Sequence, residues 1–334
     1  KAIRRQRQMC IRDSVYTWWK ETFPQAEFVY CNAGIGGTTS EFGAARVGTD
    51  LLAERPDFVI VEFSVNDEST EHFKETYEGL VRKILGAAWN PAVLLVHNVF
   101  YHNGANAQVM HAAIGRHYDL PSVSMQNSIY PEVVAGRIEN RAITPDDLHP
   151  NDEGHALVAS VITYFLEQVR SGKLTGSNAS FALGAKLPVP LTKNAYEDSV
   201  RIRNAAAPDM AGLQQPTLDG FTPDETAQNE ITDCFRYGWT AKKTGDAITF
   251  LVEGSCIAVQ YRKSVKLPAP VALAVVDDDT EHAVRLDANF DETWGDKLEL
   301  ATLLEHGKEG RHIVTIRLAE THEDDAVPFY LVSV

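Results

Sequence analysis

The stretch PDFVIVEFSVND, residues 56–67, joins a short apolar run to a polar turn. The run has the length of a buried strand, and similar runs are AEFVYCN (26–32) and PAVLLVHNVF (91–100). Stretches with helical spacing of apolar residues, such as FKETYEGLVRKILGAA (73–88), lie between runs of this kind. Strands that alternate with helices are typical of right-handed crossovers and of a parallel sheet covered on both faces. The first half of the chain is therefore predicted to be an α/β domain.

Three segments with polar or glycine-rich sequences lie beyond the predicted strands. NAGIGGTTS (32–40) follows the first run, SVNDEST (64–70) follows the second, and TPDDLHPNDEGH (144–155) precedes the last helix. Ligands bind to open parallel sheets beyond the carboxyl ends of the strands. We therefore expect the three segments to converge on one site.

The segment TPDDLHPNDEGH could hold a metal, supply a catalytic acid and base, or form a solvated loop before a helix. Asp146 can reach the imidazole of His149 if the chain turns, and the proline after His149 disfavours helix at that histidine. Asn151 or Asp152 is a candidate cap for the helix that follows. Asp152 and His155 are too few ligands for zinc. We expect His155 to pack at the start of the helix, and we expect no metal.

Four other histidines lack the spacing of residues that bind one metal ion together, namely His97, His102, His111 and His117. We expect each of them to be solvated or satisfied by local hydrogen bonds. Arg46, which follows the glycine-rich segment, is expected either to brace the site or to be solvated.

Hydrolysis of an ester by a serine enzyme needs a nucleophile, a histidine base, a carboxylate that orients the base, and donors for the oxyanion. Asp146 and His149 would supply the carboxylate and the base. The glycine-rich turn at 32–37 can present a backbone N–H, and the side-chain amide of Asn66 can donate a second hydrogen bond. Three of the four components are therefore present, each beyond a predicted strand.

This combination resembles the SGNH hydrolases, the GDSL-type esterases and lipases, over about residues 15–170. NAGIGGTTS resembles the second block of that family, with Gly37 at the oxyanion glycine. VEFSVND resembles the third block, GxND, with Asn66 at the oxyanion asparagine and Ser64 in place of the usual glycine. DDLHP resembles the last block, in which Asp146 and the histidine three residues later match the triad acid and base. The resemblance implies a flavodoxin-like three-layer domain without a cofactor.

The nucleophile of that family lies in a GDS-like block at the end of its first strand. No serine precedes Ser14 in this sequence, and KAIRRQRQMC (1–10) is too basic for a buried strand. RDS (12–14) resembles the block but leaves too few residues before Asn32 for a helix and a strand. Ser14 is therefore one candidate nucleophile. The alternative, which we expect, is that the first strand and its serine are missing and the opening residues are foreign or misread.

The second half of the chain has a different pattern. KLTGSNASFALGAKLPVP (173–190) has the composition of a linker between a hydrolase domain over 1–172 and a second domain over 191–334. Short β-rich runs broken by Gly, Pro and Asp follow, such as AITFLVEGSCIAVQYRKS (247–264). They predict an all-β sandwich or jelly roll.

One loop of the predicted sandwich has the composition of a sugar-binding platform. NFDETWGD (289–296) is turn-like and acidic, and it presents Trp294 beside carboxylates. The face of an indole ring can stack on a pyranose ring. We expect Trp294 either to bind substrate or to pack in the core.

Acidic residues outnumber basic ones, with 46 Asp plus Glu against 31 Lys plus Arg and a net charge of −15. This charge repels nucleic-acid phosphates and anionic membranes, so neither is expected as a partner and a neutral sugar fits better. No apolar run has the length of a membrane span, and no secretory leader is recognised. The four cysteines, which are Cys10, Cys31, Cys234 and Cys256, lack metal or disulfide spacing. We expect a cytoplasmic protein, and its oligomeric state stays open.

The layout is similar to that of bacterial mannan and xylan acetyl esterases, in which an SGNH domain precedes a carbohydrate-binding-like sandwich. This resemblance implies a serine esterase that removes O-acetyl groups from a plant polysaccharide or oligosaccharide, without a metal or a nucleotide. Two alternatives stay open. One is a general short-chain esterase or lysophospholipase on the same fold, and the other is a non-catalytic carbohydrate-binding protein.

Overall fold

The computed structural model describes most of the chain, namely residues 14–174, 186–210, 212 and 214–334. The chain forms two compact units. The first contains the described residues up to Asn32 together with Thr39–Glu197, and the second contains Ala33–Thr38 together with Asp198–Val334. Each unit has its own hydrophobic core.

A parallel sheet of three strands is the centre of the first unit. Its strands, in order across the sheet, are β1 (Phe58–Val61), β2 (Ala92–His97) and β3 (Ser122–Ser124). β2 pairs in parallel with both of its neighbours. The α/β class that the alternation of strands and helices predicts is confirmed.

Helices flank this sheet. Those in the described residues are α1 (residues 14–22), α2 (Ser40–Asp50), α3 (Glu71–Leu85), α4 (Gln108–His117), α5 (Met125–Val134), α6 (Asn140–Ile143) and α7 (Asp152–Arg170). α3 shows why such segments are helical, because Thr70 caps its start by accepting the N–H of Phe73 and its apolar residues at helical spacing are buried. None of the described helices is long and apolar enough to cross a membrane.

The side chains of β2 alternate between two hydrophobic clusters. Val93 and Leu95 pack with residues of α2, α3 and α4. Leu94 and Val96 pack with residues of α5 and α7. Because successive side chains of a strand point to opposite faces, the sheet is covered on both faces, as the sequence predicts.

The predicted strand over residues 26–32 is wrong, since the structure places this segment in a loop. Val29 is 91% exposed, and Ile60 in β1 is 39% exposed. A strand needs a hydrogen-bonded neighbour, and within the described part of the chain β1 is an edge strand with β2 as its only neighbour. An apolar run predicts the tendency to form a strand but not the partner that the strand requires.

Two antiparallel sheets, each with five strands in the described ranges, form the second unit. The strands are β4 (Thr217–Asp219), β5 (Thr222–Pro223), β6 (Trp239–Ala241), β7 (Ala247–Gly254), β8 (Ile257–Lys263), β9 (Val271–Val276), β10 (Val284–Asp287), β11 (Lys297–Leu304), β12 (Gly310–Glu320) and β13 (Phe329–Ser333). The order is β10-β9-β12-β7-β4 in one sheet and β11-β8-β13-β6-β5 in the other.

The core of the second unit contains side chains from both sheets. Ile248 and Ile316 come from one sheet, Val259 and Phe329 come from the other, and all four are fully buried. Burial alternates along β12, as it does in a strand with one face toward a core. The predicted β-sandwich is confirmed.

The segment Leu191–Glu197 belongs to the first unit, although the sequence predicts that the second domain begins at 191. Glu78 of α3 accepts the backbone N–H of Leu191 at 2.6 Å and that of Thr192 at 2.7 Å. These hydrogen bonds join residues more than 100 positions apart, so linker-like composition does not reveal them. Residues 175–185 of the predicted linker lie outside the described residues.

Candidate active site

Asp146 and His149 form a hydrogen-bonded pair in the loop before α7. Nδ1 of His149 lies 2.8 Å from Oδ2 of Asp146. The other carboxylate oxygen, Oδ1, accepts the backbone N–H of His149 at 2.8 Å and that of Leu148 at 3.3 Å. The carboxylate therefore holds the imidazole in one orientation, which is the role of the acid in a serine hydrolase.

These hydrogen bonds also determine the ionisation of Asp146. Partial burial opposes ionisation, but the hydrogen bonds from the backbone and side chain of His149 outweigh it and lower the pKa of Asp146. The side chains of Asp146 and His149 are 50% and 53% exposed. Nε2 of His149 makes no hydrogen bond to a described residue, so this nitrogen can accept a proton from a substrate or a nucleophile.

The loop around the pair is held in place from both sides. Asp147 has a left-handed backbone, with φ 70°, and its carboxylate accepts a hydrogen bond from Arg141 at 2.9 Å. Asn151, one of the two predicted caps, accepts the N–H of Gly154 at 3.0 Å. A Cβ at Gly154 would lie 2.2 Å from the carbonyl oxygen of Ile143, so only glycine fits there.

Asn66 is exposed in the turn that follows β1. The backbone N–H groups of Asn66 and Asp67 both donate to the carbonyl oxygen of Phe63, at 3.0 and 2.9 Å. Ser64 is fully buried, and its hydroxyl and backbone N–H donate to Glu62 at 2.7 and 2.9 Å. Burial raises the pKa of Glu62, although these hydrogen bonds oppose the shift. The serine that replaces the usual glycine thus stabilises the turn that carries Asn66.

Gly37 has a left-handed backbone, with φ 72°, and a Cβ there would meet no atom within 4 Å. Glycine is therefore favoured by the backbone conformation and not by lack of space. The hydroxyl of Thr38 donates to the carbonyl oxygen of Ile35 at 2.7 Å and braces this turn. Gly37 belongs to the second unit and Asn66 to the first, and their shared oxyanion hole stays a prediction.

Ser14, the candidate nucleophile within the chain, is exposed in α1. None of the hydrogen bonds between described residues joins Ser14 to His149. The opening stretch 1–10 and the first two residues of RDS lie outside the described residues. The structure therefore brings Asp146 and His149 together, whereas their roles as acid and base and the identity of the nucleophile stay predictions.

A second aspartate–histidine pair is buried in the first unit, and the sequence does not predict it. Nε2 of His111 lies 3.0 Å from Oδ2 of Asp67, and both side chains are 0% exposed. The expectation that His97 and His111 are solvated or satisfied locally is wrong, because both are buried and the partner of His111 is 44 residues away. Helical spacing places His111 on the same buried face of α4 as Ile114, and this is the one signal of its burial in the sequence.

The described ranges contain no group of three or more His, Cys, Asp or Glu side chains that could hold a metal ion. His155 is 4% exposed at the start of α7, as expected of a residue that packs there. Arg46 is not solvated, since it is 4% exposed and pairs with Asp50 at 2.9 Å.

Trp294 lies in the loop between β10 and β11 and is 43% exposed, which excludes a core position. Its ring packs edge-on against Phe290, with the ring centroids 5.1 Å apart. Asp296 anchors the loop by accepting the hydroxyl of Ser264 at 2.9 Å. An exposed indole on an anchored loop suits stacking on a sugar ring, and this role stays a prediction.

The parallel sheet, the asparagine turn after β1 and the Asp–His pair before α7 together define an SGNH-type hydrolase. A model of the GDSL-like lipase/acylhydrolase family matches residues 12–157. A crystal structure of a two-domain esterase active on acetylated mannans, co-crystallised with mannopentaose, is 65% identical to this chain, with a TM-score of 0.90. That match covers 98% of this chain and 84% of the other.

A second crystal structure of a two-domain esterase active on acetylated mannans is 66% identical, with a TM-score of 0.91, and the match covers 98% of this chain and 85% of the other. A comparison with curated proteins finds no similar sequence. The chain belongs to the GDSL-like lipase/acylhydrolase family. It is a carboxylic ester hydrolase, which confirms the prediction from the sequence.

Proposed function

We propose that the chain is an acetyl esterase that removes O-acetyl groups from mannan or its oligosaccharides. The observation that carries this proposal is the Asp146–His149 pair, found in a chain that is 65% identical to an esterase active on acetylated mannans. A net charge of −15 suits a neutral polysaccharide, because it would repel an anionic substrate.

In the acylation step, Nε2 of His149 accepts the hydroxyl proton of the nucleophilic serine while the serine oxygen attacks the acetyl carbonyl carbon. Asp146 stabilises the resulting imidazolium through Nδ1–H. The carbonyl oxygen becomes an oxyanion, which the backbone N–H of Gly37 and the side-chain amide of Asn66 stabilise. The bond from the carbonyl carbon to the sugar oxygen then breaks, and His149 gives its proton to this departing oxygen, which leaves as a sugar hydroxyl.

In the deacylation step, a water molecule takes the place of the serine. His149 accepts a proton from this water as its oxygen attacks the acetyl-serine carbonyl, and the same donors stabilise the second oxyanion. Collapse releases acetate and returns the proton to the serine oxygen. Every proton transfer in the cycle therefore passes through Nε2 of one imidazole.

The nucleophile in this proposal is a serine that reaches Nε2 of His149. Ser14 is one candidate, and a serine encoded upstream of this sequence is the other. Labelling of the full-length protein with a fluorophosphonate, followed by peptide mass spectrometry, identifies the serine that reacts. Label on Ser14 that disappears in Ser14→Ala assigns the role to Ser14, whereas label on another serine assigns it elsewhere.

The substrate class is tested by comparing acetate release from acetylated mannooligosaccharides with hydrolysis of 4-nitrophenyl esters of increasing acyl length. We expect acetyl esters to be cleaved far faster than octanoyl esters. Equal rates on long acyl chains would support a general esterase or lysophospholipase instead. A protein that takes up no fluorophosphonate and releases no acetate would contradict the proposal altogether.

The contribution of the second unit is tested at Trp294. If its indole stacks on the sugar, Trp294→Ala should raise the KM for an acetylated mannooligosaccharide about tenfold and leave hydrolysis of 4-nitrophenyl acetate unchanged. Trp294→Phe keeps an aromatic face and is the matched control. Equal losses on both substrates, or a large drop in Tm, would instead assign Trp294 a structural role.

A further inference from the structure

Asp67 connects two elements of the first unit. It directly follows Asn66 in the turn after β1, and its Oδ1 accepts the N–H of Ser40, the first residue of α2, at 2.8 Å. Ser40 in turn follows Gly37 by three residues. One carboxylate therefore ties the turn that carries Asn66 to the helix that begins shortly after Gly37.

The start of α2 depends on Asp67 because the helix has no side-chain cap of its own. Thr39 occupies the N-cap position, but its side chain makes no capping hydrogen bond. The N–H groups of a first helical turn have no partner within the helix, and a carboxylate near them is favoured by the helix dipole. Asp67 thus supplies, from another element, the acceptor that a local cap would provide.

His111 fixes the second oxygen of Asp67. Its Nε2–H donates to Oδ2 at 3.0 Å. Its ring is stacked on that of Tyr77, with centroids 3.7 Å apart and an angle of 6° between the planes. The stack restrains the imidazole, so Nε2–H stays directed at the carboxylate. A buried carboxylate is stable only when hydrogen bonds compensate for its lost hydration, and both oxygens of Asp67 have such a bond.

We propose that Asp67 and His111 are a positioning pair for Asn66, the proposed oxyanion donor of the first unit. Asp67 ties the turn that carries Asn66 to the N-terminus of α2, and His111 holds Asp67 in place. The proposal rests on the proposed function, because it takes Asn66 as an oxyanion donor. The pair acts through this donor, and a donor displaced by about 1 Å costs roughly 100-fold in rate.

The test compares Asp67→Ala, Asp67→Asn and His111→Gln with a matched control, Glu78→Gln, in the full-length protein. Glu78 is another buried acid of the first unit with several hydrogen bonds, but its partners are Tyr118, Leu191 and Thr192. kcat and KM for 4-nitrophenyl acetate are measured well below the Tm of each variant. Endpoint titration with a fluorophosphonate counts the competent molecules, so loss of folded protein is separated from loss of rate.

Asp67→Ala should lower kcat per competent molecule by roughly 10²-fold and change KM by less than about threefold, because the lost interaction acts on the transition state. The kcat of Asp67→Asn should fall only about tenfold, since the amide oxygen of asparagine can still accept the N–H of Ser40. The kcat of His111→Gln should fall by a similar amount. Glu78→Gln should lower Tm and leave kcat unchanged.

The proposal is overturned if Asp67→Ala loses no more kcat than Glu78→Gln, or if Asp67→Asn is as slow as Asp67→Ala. If Asp67→Ala does not fold, Asp67→Asn and His111→Gln test the proposal instead. In that case, kcat values equal to that of Glu78→Gln would overturn the proposal. Asn66→Ala is measured alongside these variants. Full activity of Asn66→Ala would contradict the oxyanion hole of the proposed function itself, which distinguishes that failure from a failure of the positioning pair.

Discussion

The first unit contains two aspartate–histidine pairs that make the same contacts in different surroundings. Asp146 and His149 are three residues apart and about half exposed, whereas Asp67 and His111 are 44 residues apart and fully buried. In each pair one carboxylate oxygen lies against an imidazole nitrogen and the other accepts a backbone N–H. The pairs therefore share this general pattern of contacts, but they differ in burial and in the imidazole nitrogen that faces the carboxylate.

The difference shows that access decides what such a pair can do. In the exposed pair the carboxylate is hydrogen-bonded to Nδ1 of His149, so Nε2 remains accessible. In the buried pair the carboxylate is hydrogen-bonded to Nε2 of His111, and Nδ1 is buried without a hydrogen bond in the described part of the chain. A proton-transfer group must reach the reacting atoms, so the exposed pair suits catalysis and the buried pair suits positioning.

Replacing His149 with Ala has the largest expected effect. We expect kcat on 4-nitrophenyl acetate to fall by at least about 10⁴-fold, because the general base is removed. The Tm should barely change, since the side chain is half exposed. Stopped assays and thermal unfolding of the same preparation measure both quantities. A variant that keeps a substantial fraction of the rate would show that another group is the base.

Asp146→Asn should have the next largest effect. Asparagine can present an N–H toward the imidazole and favour the wrong tautomer, so kcat should fall by roughly 10²- to 10⁴-fold while KM stays similar. A loss equal to that of His149→Ala in KM as well as kcat would point to a collapsed loop and would weaken the assignment of Asp146 as the orienting acid.

The same variant has a pH signature. The pKa of Asp146 is lowered in the folded protein, so its stabilising contribution is present above the ordinary value of 3.8 and is lost as the pH falls through the lower folded value. The Tm difference between the unchanged protein and Asp146→Asn should therefore be full at pH 7 and shrink as the pH falls below about 4. A difference that does not depend on pH would show that the charge of Asp146 does not stabilise the loop.

The two pairs also show which contacts a sequence can predict. Asp146 and His149 are neighbours in a DxxHP stretch before an apolar helix, so local geometry alone brings them together. Asp67 and His111 meet only because β1, α3, β2 and α4 pack in a particular way. The sequence predicts β1, α3 and β2, but it predicts neither α4 nor which polar atoms face each other inside the packed unit.

The predictions that fail do so for a related reason. Residues 26–32 have the composition of a strand, but they lack a strand beside them within the described residues. The sequence predicts that the second domain begins at 191, but Glu78 accepts hydrogen bonds from the backbone N–H groups of Leu191 and Thr192, which belong to the first unit. The period of the apolar residues and the composition predict whether a segment favours a helix or a strand. Domain boundaries and strand pairing depend on hydrogen bonds between residues that are distant in the sequence.

Glu78→Gln tests whether replacing any buried acid of the first unit lowers the rate, because Glu78 is buried like Asp67 but has no proposed part in the site. It accepts hydrogen bonds from the hydroxyl groups of Thr192 and Tyr118, and these bonds lower its pKa although burial opposes the shift. We expect a loss of about 1–3 kcal/mol in the free energy of unfolding and no change in kcat.

The pH dependence of this loss follows from the direction of the shift. A lowered pKa means that the stabilisation by Glu78 is present above its ordinary value of 4.5 and is lost as the pH falls through the lower folded value. Urea unfolding of the unchanged protein and of Glu78→Gln, at pH 7 and near pH 4, measures how this loss in the free energy of unfolding depends on pH. A larger loss at the lower pH would contradict the assignment of a charged Glu78.

A third pair, Asp279 and His282, repeats the exposed geometry in the second unit. Nδ1 of His282 lies 2.7 Å from Oδ2 of Asp279, and the backbone N–H of His282 donates to Oδ1 at 3.3 Å. The spacing is again three residues, and the side chains are 52% and 81% exposed. The pair lies at a short helical turn between β9 and β10, and not at the carboxyl end of a parallel sheet.

His282→Ala should therefore have the smallest effect, with kcat unchanged within about twofold and the Tm nearly unchanged, because an exposed ion pair contributes little. It is the matched control for His149→Ala, since both substitutions remove an imidazole from an exposed pair with the same spacing and the same two contacts. Loss of hydrolysis in both variants would show that the assay reports something other than the chemistry of the Asp146–His149 site. If only His149→Ala is inactive, the ratio of the two rates measures what the position of the pair in the hydrolase unit adds to its local geometry.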